Sequence, residues 1–393
     1  MNPKPLFSSE EYGARLKAAK ERMYREGIEV LLVTDPANMN YLSGYDGWSF
    51  YVHQGLLVLM DRDEPIWFGR MQDSNGARLT TWLAEDNIRG YQDHYVQSNL
   101  RHPMDFVADL LRELGADGRR LGVEMDSYYF TGQCLESLSL NLPDAEIMNA
   151  NLLVNWVRLV KSPAEIGYMR DAARIVERVM QTAIDSIDVG VREGDAAAEV
   201  LKAQLSGTPD FTGDYASIMP IMPSGIRTST AHLSWVDRKY EKGDLVLLEL
   251  AGNRHRYHAP LSRTLIIGQA PQELADVAKG VIDGLNKVID FIKPGVTGEE
   301  VEAAWRKAIS GTKVVKESRM GYAYGCNYPP DWGEHTVSLR PGDKNVFMPG
   351  MTIHVMPGVW LDEFGFECSE PIVVTEKGCE CFVDFPRRLF VKQ

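Results

Sequence analysis

Asp244-Leu245-Val246-Leu247-Leu248-Glu249-Leu250-Ala251-Gly252 reads as a buried strand, apolar to both faces, with one carboxylate set into it. A charge in that setting is costly unless it is paired or put to use. A turn carrying His255, Tyr257 and His258 follows. A second apolar run, Ala259-Pro260-Leu261-Ser262-Arg263-Thr264-Leu265-Ile266-Ile267, completes a strand pair. Upstream, the turn-rich phrase Ser224-Gly225-Ile226-Arg227-Thr228-Ser229-Thr230-Ala231-His232 holds a lone histidine. Glu249 and His232 are therefore the first candidates for chemistry: a carboxylate that needs a reason, and a side chain that titrates near neutrality. The structural alternative for Glu249 is a buried pair with an arginine such as Arg263.

Outward from this stretch, helical and strand patterns repeat. A long helix is predicted from Ser162-Pro163-Ala164-Glu165, with serine as cap and proline in the first turn, to about Ile187. Val189-Gly190-Val191-Arg192-Glu193-Gly194-Asp195 separates it from a second helix through Leu201. The phrase recurs as Ile292-Lys293-Pro294-Gly295-Val296-Thr297-Gly298-Glu299-Glu300-Val301, again between two helices and again followed by strands. This points to an internal duplication of a helix–helix–strand unit, with a cleft between the halves. Later strands are expected in Gly350–Trp360 and Ser369–Glu376, and Arg387-Arg388-Leu389-Phe390 reads as a tail. Before residue 155, strands at 28–34, 55–60, 65–68 and 120–124 alternate with helices at 9–27, 38–44 and 105–114, the pattern of a small α/β domain.

Length and charge narrow the class. A chain of 393 residues suits two domains. A net charge of −13 disfavours a nucleic-acid partner. No apolar run reaches the roughly 18 residues of a membrane span, and Met1-Asn2-Pro3-Lys4-Pro5 has no export pattern. The five cysteines are scattered and read as reduced thiols, which points to the cytoplasm.

Several phrases in order resemble the creatinase and aminopeptidase P (peptidase M24-like) family with the pita-bread fold. They are Arg158-Leu159-Val160-Lys161-Ser162-Pro163-Ala164-Glu165-Ile166, Glu241-Lys242-Gly243-Asp244-Leu245-Val246-Leu247-Leu248-Glu249, Arg263-Thr264, Met348-Pro349-Gly350-Met351 and Val374-Thr375-Glu376. The resemblance implies an α/β (α+β) chain: a small N-terminal creatinase-like domain over 1–157 and a catalytic pita-bread domain with an internal pseudo-twofold repeat over 158–393. Metallopeptidases of the family hold two metal ions through two aspartates, a histidine and two glutamates. Those positions fall here on Glu249, Pro260 or its neighbour, Tyr322, Met356 and Ser369, with Glu370 beside the last. Proline and methionine cannot replace carboxylates on a hard cation. The resemblance therefore implies no metal and no other cofactor, with creatinase as the metal-free precedent.

Tyr41-Leu42-Ser43-Gly44-Tyr45-Asp46-Gly47-Trp48-Ser49-Phe50-Tyr51-Val52-His53-Gln54, with Tyr322 and Ser369-Glu370-Pro371, resembles the ectoine-hydrolysing class within the family. That class implies a small-molecule substrate, a cyclic amidine bearing a carboxylate. Glu249 and Glu370 would accept its N–H groups, and Trp48, Phe50, Tyr322 and Trp360 would offer aromatic faces to the cation. By analogy with creatinase, the chain would be a homodimer whose Trp48, Phe50 and His53 reach the partner's site. His232 would shuttle the proton, Glu249 would orient substrate or assist water, and Arg227, Arg319 or Arg340 would clamp the carboxylate. Another guanidine or amidine hydrolase, an Xaa-Pro peptidase and an inactive peptide-binding module remain as rivals. His255, His258 and His354 lack the spacing of a metal cluster.

Overall fold

A computed structural model describes residues 5–312, 314–316 and 318–393, so the reading of the extreme N-terminus at 1–4 lies outside them. The chain divides into two compact units, Met1–Arg158 and Leu159–Gln393.

The first unit is built on a six-stranded sheet. Its strands lie in the order Ile88–Tyr91, Ile66–Arg70, Gly55–Leu59, Val30–Val33, Leu121–Val123 and Ile147–Asn149. Central strands without a polar face need cover on both sides, and they have it. Val30 and Leu32 enter one core with Leu57, Leu59 and helix Pro103–Glu113. Leu31 and Val33 enter the other with Leu56, Val58 and helix Ser9–Glu26. That first helix starts where Ser8 caps the Glu11 amide and stops at Gly27, whose φ of 71° is the left-handed conformation glycine tolerates.

The second unit shows the duplication. Helices Pro163–Ser186 and Glu193–Ser206 precede strands Leu245–Arg254 and Tyr257–Ile267; helices Gln272–Phe291 and Gly298–Ile309 precede strands Gly321–Tyr324, Gly333–Ser338, Thr352–Val355 and Glu370–Val374. The reciprocal cap of Ser162 with Glu165 starts the first helix, and that of Thr297 with Glu300 starts the fourth. Helix Pro163–Ser186 lies directly on strand Leu245–Arg254. A Cβ at Gly252 would come within 2.0 Å of the Ala172 carbonyl, so the close approach requires glycine there.

One expectation is overturned. The segment after Arg387 is not a tail: Phe390–Lys392 adds a parallel strand to Tyr257–Ile267, making a three-stranded sheet. Its alternating pattern is too short to be read as a strand in isolation; tertiary pairing selects it.

Candidate active site

A two-residue turn, with His255 at φ 51° and Arg256 at φ 69°, joins the long strands. It sets Glu249 opposite Ser262, Ala251 opposite Pro260 and Asn253 opposite His258. Because side chains alternate, all six leave the same face of the sheet. On the second sheet, His354 is paired with Tyr322 on one side and Pro371 on the other.

The two sheets are tied together by a hydrogen-bonded chain of neutral groups. Trp332 Nε1 donates to the Tyr322 hydroxyl at 2.8 Å, which lies 3.3 Å from His354 Nδ1. His354 Nε2 lies 2.7 Å from Ser369 Oγ, and that oxygen also accepts the Ser262 amide at 2.7 Å. Burial pushes His354 down to about 3, so its ring is neutral and joins the hydroxyls as one donor and one acceptor.

Two carboxyl groups face this array. Glu249 and Glu367 are both buried. Burial, then the charges of Glu367 and Asp331, hold Glu249 well above the usual carboxylate range. Burial raises Glu367 to about 7, with Lys316 opposing the rise. Lys316 is itself drawn down to about 8 by burial, with Glu367 opposing. Around the pair, Glu367 Oε1, Ser262 Oγ and Trp360 Nε1 are buried without a partner in hydrogen-bond geometry among the described residues, while Ser262 lies close enough to Glu367 to oppose the rise of its pKa. In native structures such atoms are met by ordered water or a ligand. Gly358 bridges them: a Cβ there would meet the Trp360 ring at 2.7 Å and Glu367 Cγ at 3.2 Å.

Glu367 was not singled out in the sequence. The signal was available, since Gly365-Phe366-Glu367-Cys368-Ser369 sets a carboxylate in a buried run much as Glu249 is set in its strand. Glu370, which was singled out, goes elsewhere. Its Oε1 is bonded to the buried Arg263 Nη2 at 2.7 Å and to the half-buried Arg387 Nε at 3.0 Å. Arg263 therefore pairs with Glu370 and not with Glu249.

The aromatic faces are also taken. The Arg319 guanidinium sits 4.4 Å from the Tyr322 ring centroid, and Lys316 Nζ sits 5.0 Å from that of Trp360. A protein cation therefore already lies over each of these rings. His232 is exposed on the turn after Gly225–Ser229 and makes no hydrogen bond among the described residues. The side chain of Ser234, two residues on, donates to Pro220 O, and the residue after that proline, Ile221, forms a backbone bridge with Glu249. Trp48, Phe50 and His53 belong to the first unit. Trp48 is exposed and meets Phe50 edge-on at 4.7 Å, while His53 is half-buried against His102 and Cys134.

The model of metallopeptidase family M24 matches residues 167–376, and that of the creatinase/prolidase N-terminal domain matches residues 15–160. The chain belongs to metallopeptidase family M24. Among M24 relatives, the ectoine hydrolase of Halomonas elongata is 42% identical over 98% of each chain. An uncharacterised hydrolase/peptidase, y4tM, of Sinorhizobium fredii is 44% identical, again over 98% of each. A prolidase from Thermococcus sibiricus shares the fold, with a TM-score of 0.83 at 19% identity over 98% of this chain and 100% of the other.

The M24 metal-ligand positions do not fit metal in this chain. Pro260 and Met356 offer no hard donor. Met356 packs instead against Ala251, Tyr322 and Trp332. The Tyr322 and Ser369 oxygens are engaged with His354, Trp332 and Ser262. Glu249 alone keeps a carboxylate at one of these positions.

Proposed function

We propose that this M24 hydrolase opens the cyclic amidine ring of ectoine to N-acetyl-2,4-diaminobutyrate without a metal ion. The observation that carries the reading is the buried Glu249–Glu367 pair with unsatisfied Glu367 Oε1, Ser262 Oγ and Trp360 Nε1 around it. The ectoine hydrolase relative supports the choice of substrate.

An amidinium brings a positive charge and N–H donors. Two buried carboxylates disfavour each other's charge, so one stays protonated, and a bound cation favours release of that proton. Glu249 and Glu367 then accept the ring N–H groups. Water attacks the carbon between the two nitrogens, forming the new C–O bond. His232 takes the water proton and returns it to the nitrogen whose C–N bond breaks, leaving an amide and an amine. A divalent cation beside this amidinium would repel it.

Arg319 takes the substrate carboxylate. Its guanidinium is half-buried over Tyr322, and its charge acts on both His354 and Asp331. Its recorded hydrogen bond, to Ser338 Oγ, is a long 3.4 Å. Arg227 is bonded back to Ser234 O, and Arg340 is exposed. The exposed Trp48 and Tyr51 beside Phe50 support a homodimer in which this loop completes the partner's site. A cytoplasmic setting accords with five free cysteines.

The test is a substrate panel of ectoine, hydroxyectoine, creatine and Xaa-Pro dipeptides. Ectoine turned over to the N-acetyl product, with no dipeptide cleavage, is expected. Dipeptide cleavage without ectoine turnover would return the chain to the peptidases. Binding of peptides with no turnover would make it a binding module.

A further inference from the structure

In the first unit, His53, His102 and Cys134 form a group of metal-ligating side chains, each offering a ligand atom within 4.8 Å of the others. Neither the M24 ligand positions nor the proposed chemistry uses it. Cys134 Sγ lies 3.6 Å from His53 Nδ1 and 3.8 Å from Nε2, and the His53 and His102 rings are 4.8 Å apart. Zn–N bonds of about 2.0–2.1 Å and a Zn–S bond of about 2.3 Å at a tetrahedral angle separate N and S by roughly 3.6 Å. The His53–Cys134 spacing already meets this; His102 has to close by about 1 Å.

We propose that His53, His102 and Cys134 form a binding site for zinc or a similar borderline divalent cation, with the fourth ligand position open to solvent.

The local structure places each ligand. Cys134 is the third residue of helix Gly132–Asn141, with Thr131 Oγ1 capping its amide; burial pushes its thiol up, so binding a metal displaces the proton. His53 is half-buried, its ring 4.8 Å from that of His102. His102 carries a further cost. Its Nδ1 accepts the Met104 amide at 3.2 Å as the cap of helix Pro103–Glu113. A metal on Nε2 moves the proton to Nδ1 and breaks that bond. Losing that one cap bond is a small cost beside the bonds a zinc ion forms. The other half of the capping box, Asp105 accepting the His102 amide at 2.8 Å, is untouched. A cavity of about 260 Å³, lined by Pro36, Phe50, His53, Tyr129 and Thr131, adjoins the group and supplies room for a water ligand.

Cobalt(II) titration of the untagged full chain, stripped of metal, tests the site. The expected result is one equivalent bound, with a near-ultraviolet thiolate-to-cobalt band and intense visible bands of a four-coordinate ion, displaced by zinc. Cys134→Ser should abolish the near-ultraviolet band, and His53→Ala should weaken binding at least tenfold. Zinc should raise the melting temperature of the wild type and not that of Cys134→Ser. A band that persists in Cys134→Ser, or weak binding unchanged by both substitutions, would overturn the assignment. Ectoine turnover is a separate readout, so its outcome does not decide this one.

Discussion

At the scale of single residues, charge placement decides what the site can do. Glu249 was legible because one carboxylate in an apolar strand demands a partner or a use. The choice between the two was not legible, because Arg263 lies near it in sequence and bonds Glu370 in space. Replacing Arg263 by Met strands the Glu370 charge in the interior beside Arg387 alone, and about 3–5 kcal/mol of stability should be lost in denaturant unfolding. Glu367 behaves in the opposite way. Its folded pKa of about 7 lies above that of an unfolded carboxyl, so the folded state holds the proton longer. Its stability contribution is whole below about pH 4.5 and falls away as pH rises to about 7. Glu367→Gln should therefore match the wild type at pH 4.5 and exceed it by on the order of 3 kcal/mol at pH 8. It should also lose ectoine turnover by at least 100-fold. A variant equally stable at both pH values would refute the buried-acid account. Arg319→Met should raise KM for ectoine far more than it lowers kcat, since it removes uniform binding of the carboxylate. His232→Ala should cut kcat by roughly 10²–10⁴ without changing the melting temperature, because the side chain is exposed.

At the scale of elements, the helices and long strands were legible from caps and apolar period, and the pairings that carry the site were not. Ser162 with Glu165 announced the helix that backs the strand pair, while the close approach at Gly252 shows only in the structure. The C-terminal strand escaped because three residues carry no period; only the edge of Tyr257–Ile267 gives them a partner. Gly252→Ala should destabilise the second unit by several kcal/mol, since the obstruction is the backbone of Ala172 rather than a side chain that can move. Removing residues 386–393 should likewise lower the melting temperature, because it takes away the parallel strand and the Arg387 bond to Glu370 together.

At the scale of the whole molecule, the repeated Gly-Val phrase was enough to expose the duplication, and the duplication is what brings a strand pair and a second sheet to one cluster of side chains. The bond from the Ser262 amide to Ser369, which joins the two sheets, spans 107 residues of chain, and no local pattern encodes it. The central claim is that this cluster is a cation-accepting acid pair in which the M24 metal positions have been given over to structure. The most direct measurement follows ectoine by proton NMR with protein stripped by a chelator and kept in it, with circular dichroism to confirm the fold. Turnover at the rate of untreated protein is predicted. Turnover that disappears on stripping with the fold intact, and returns when manganese, cobalt or zinc is added, would contradict it.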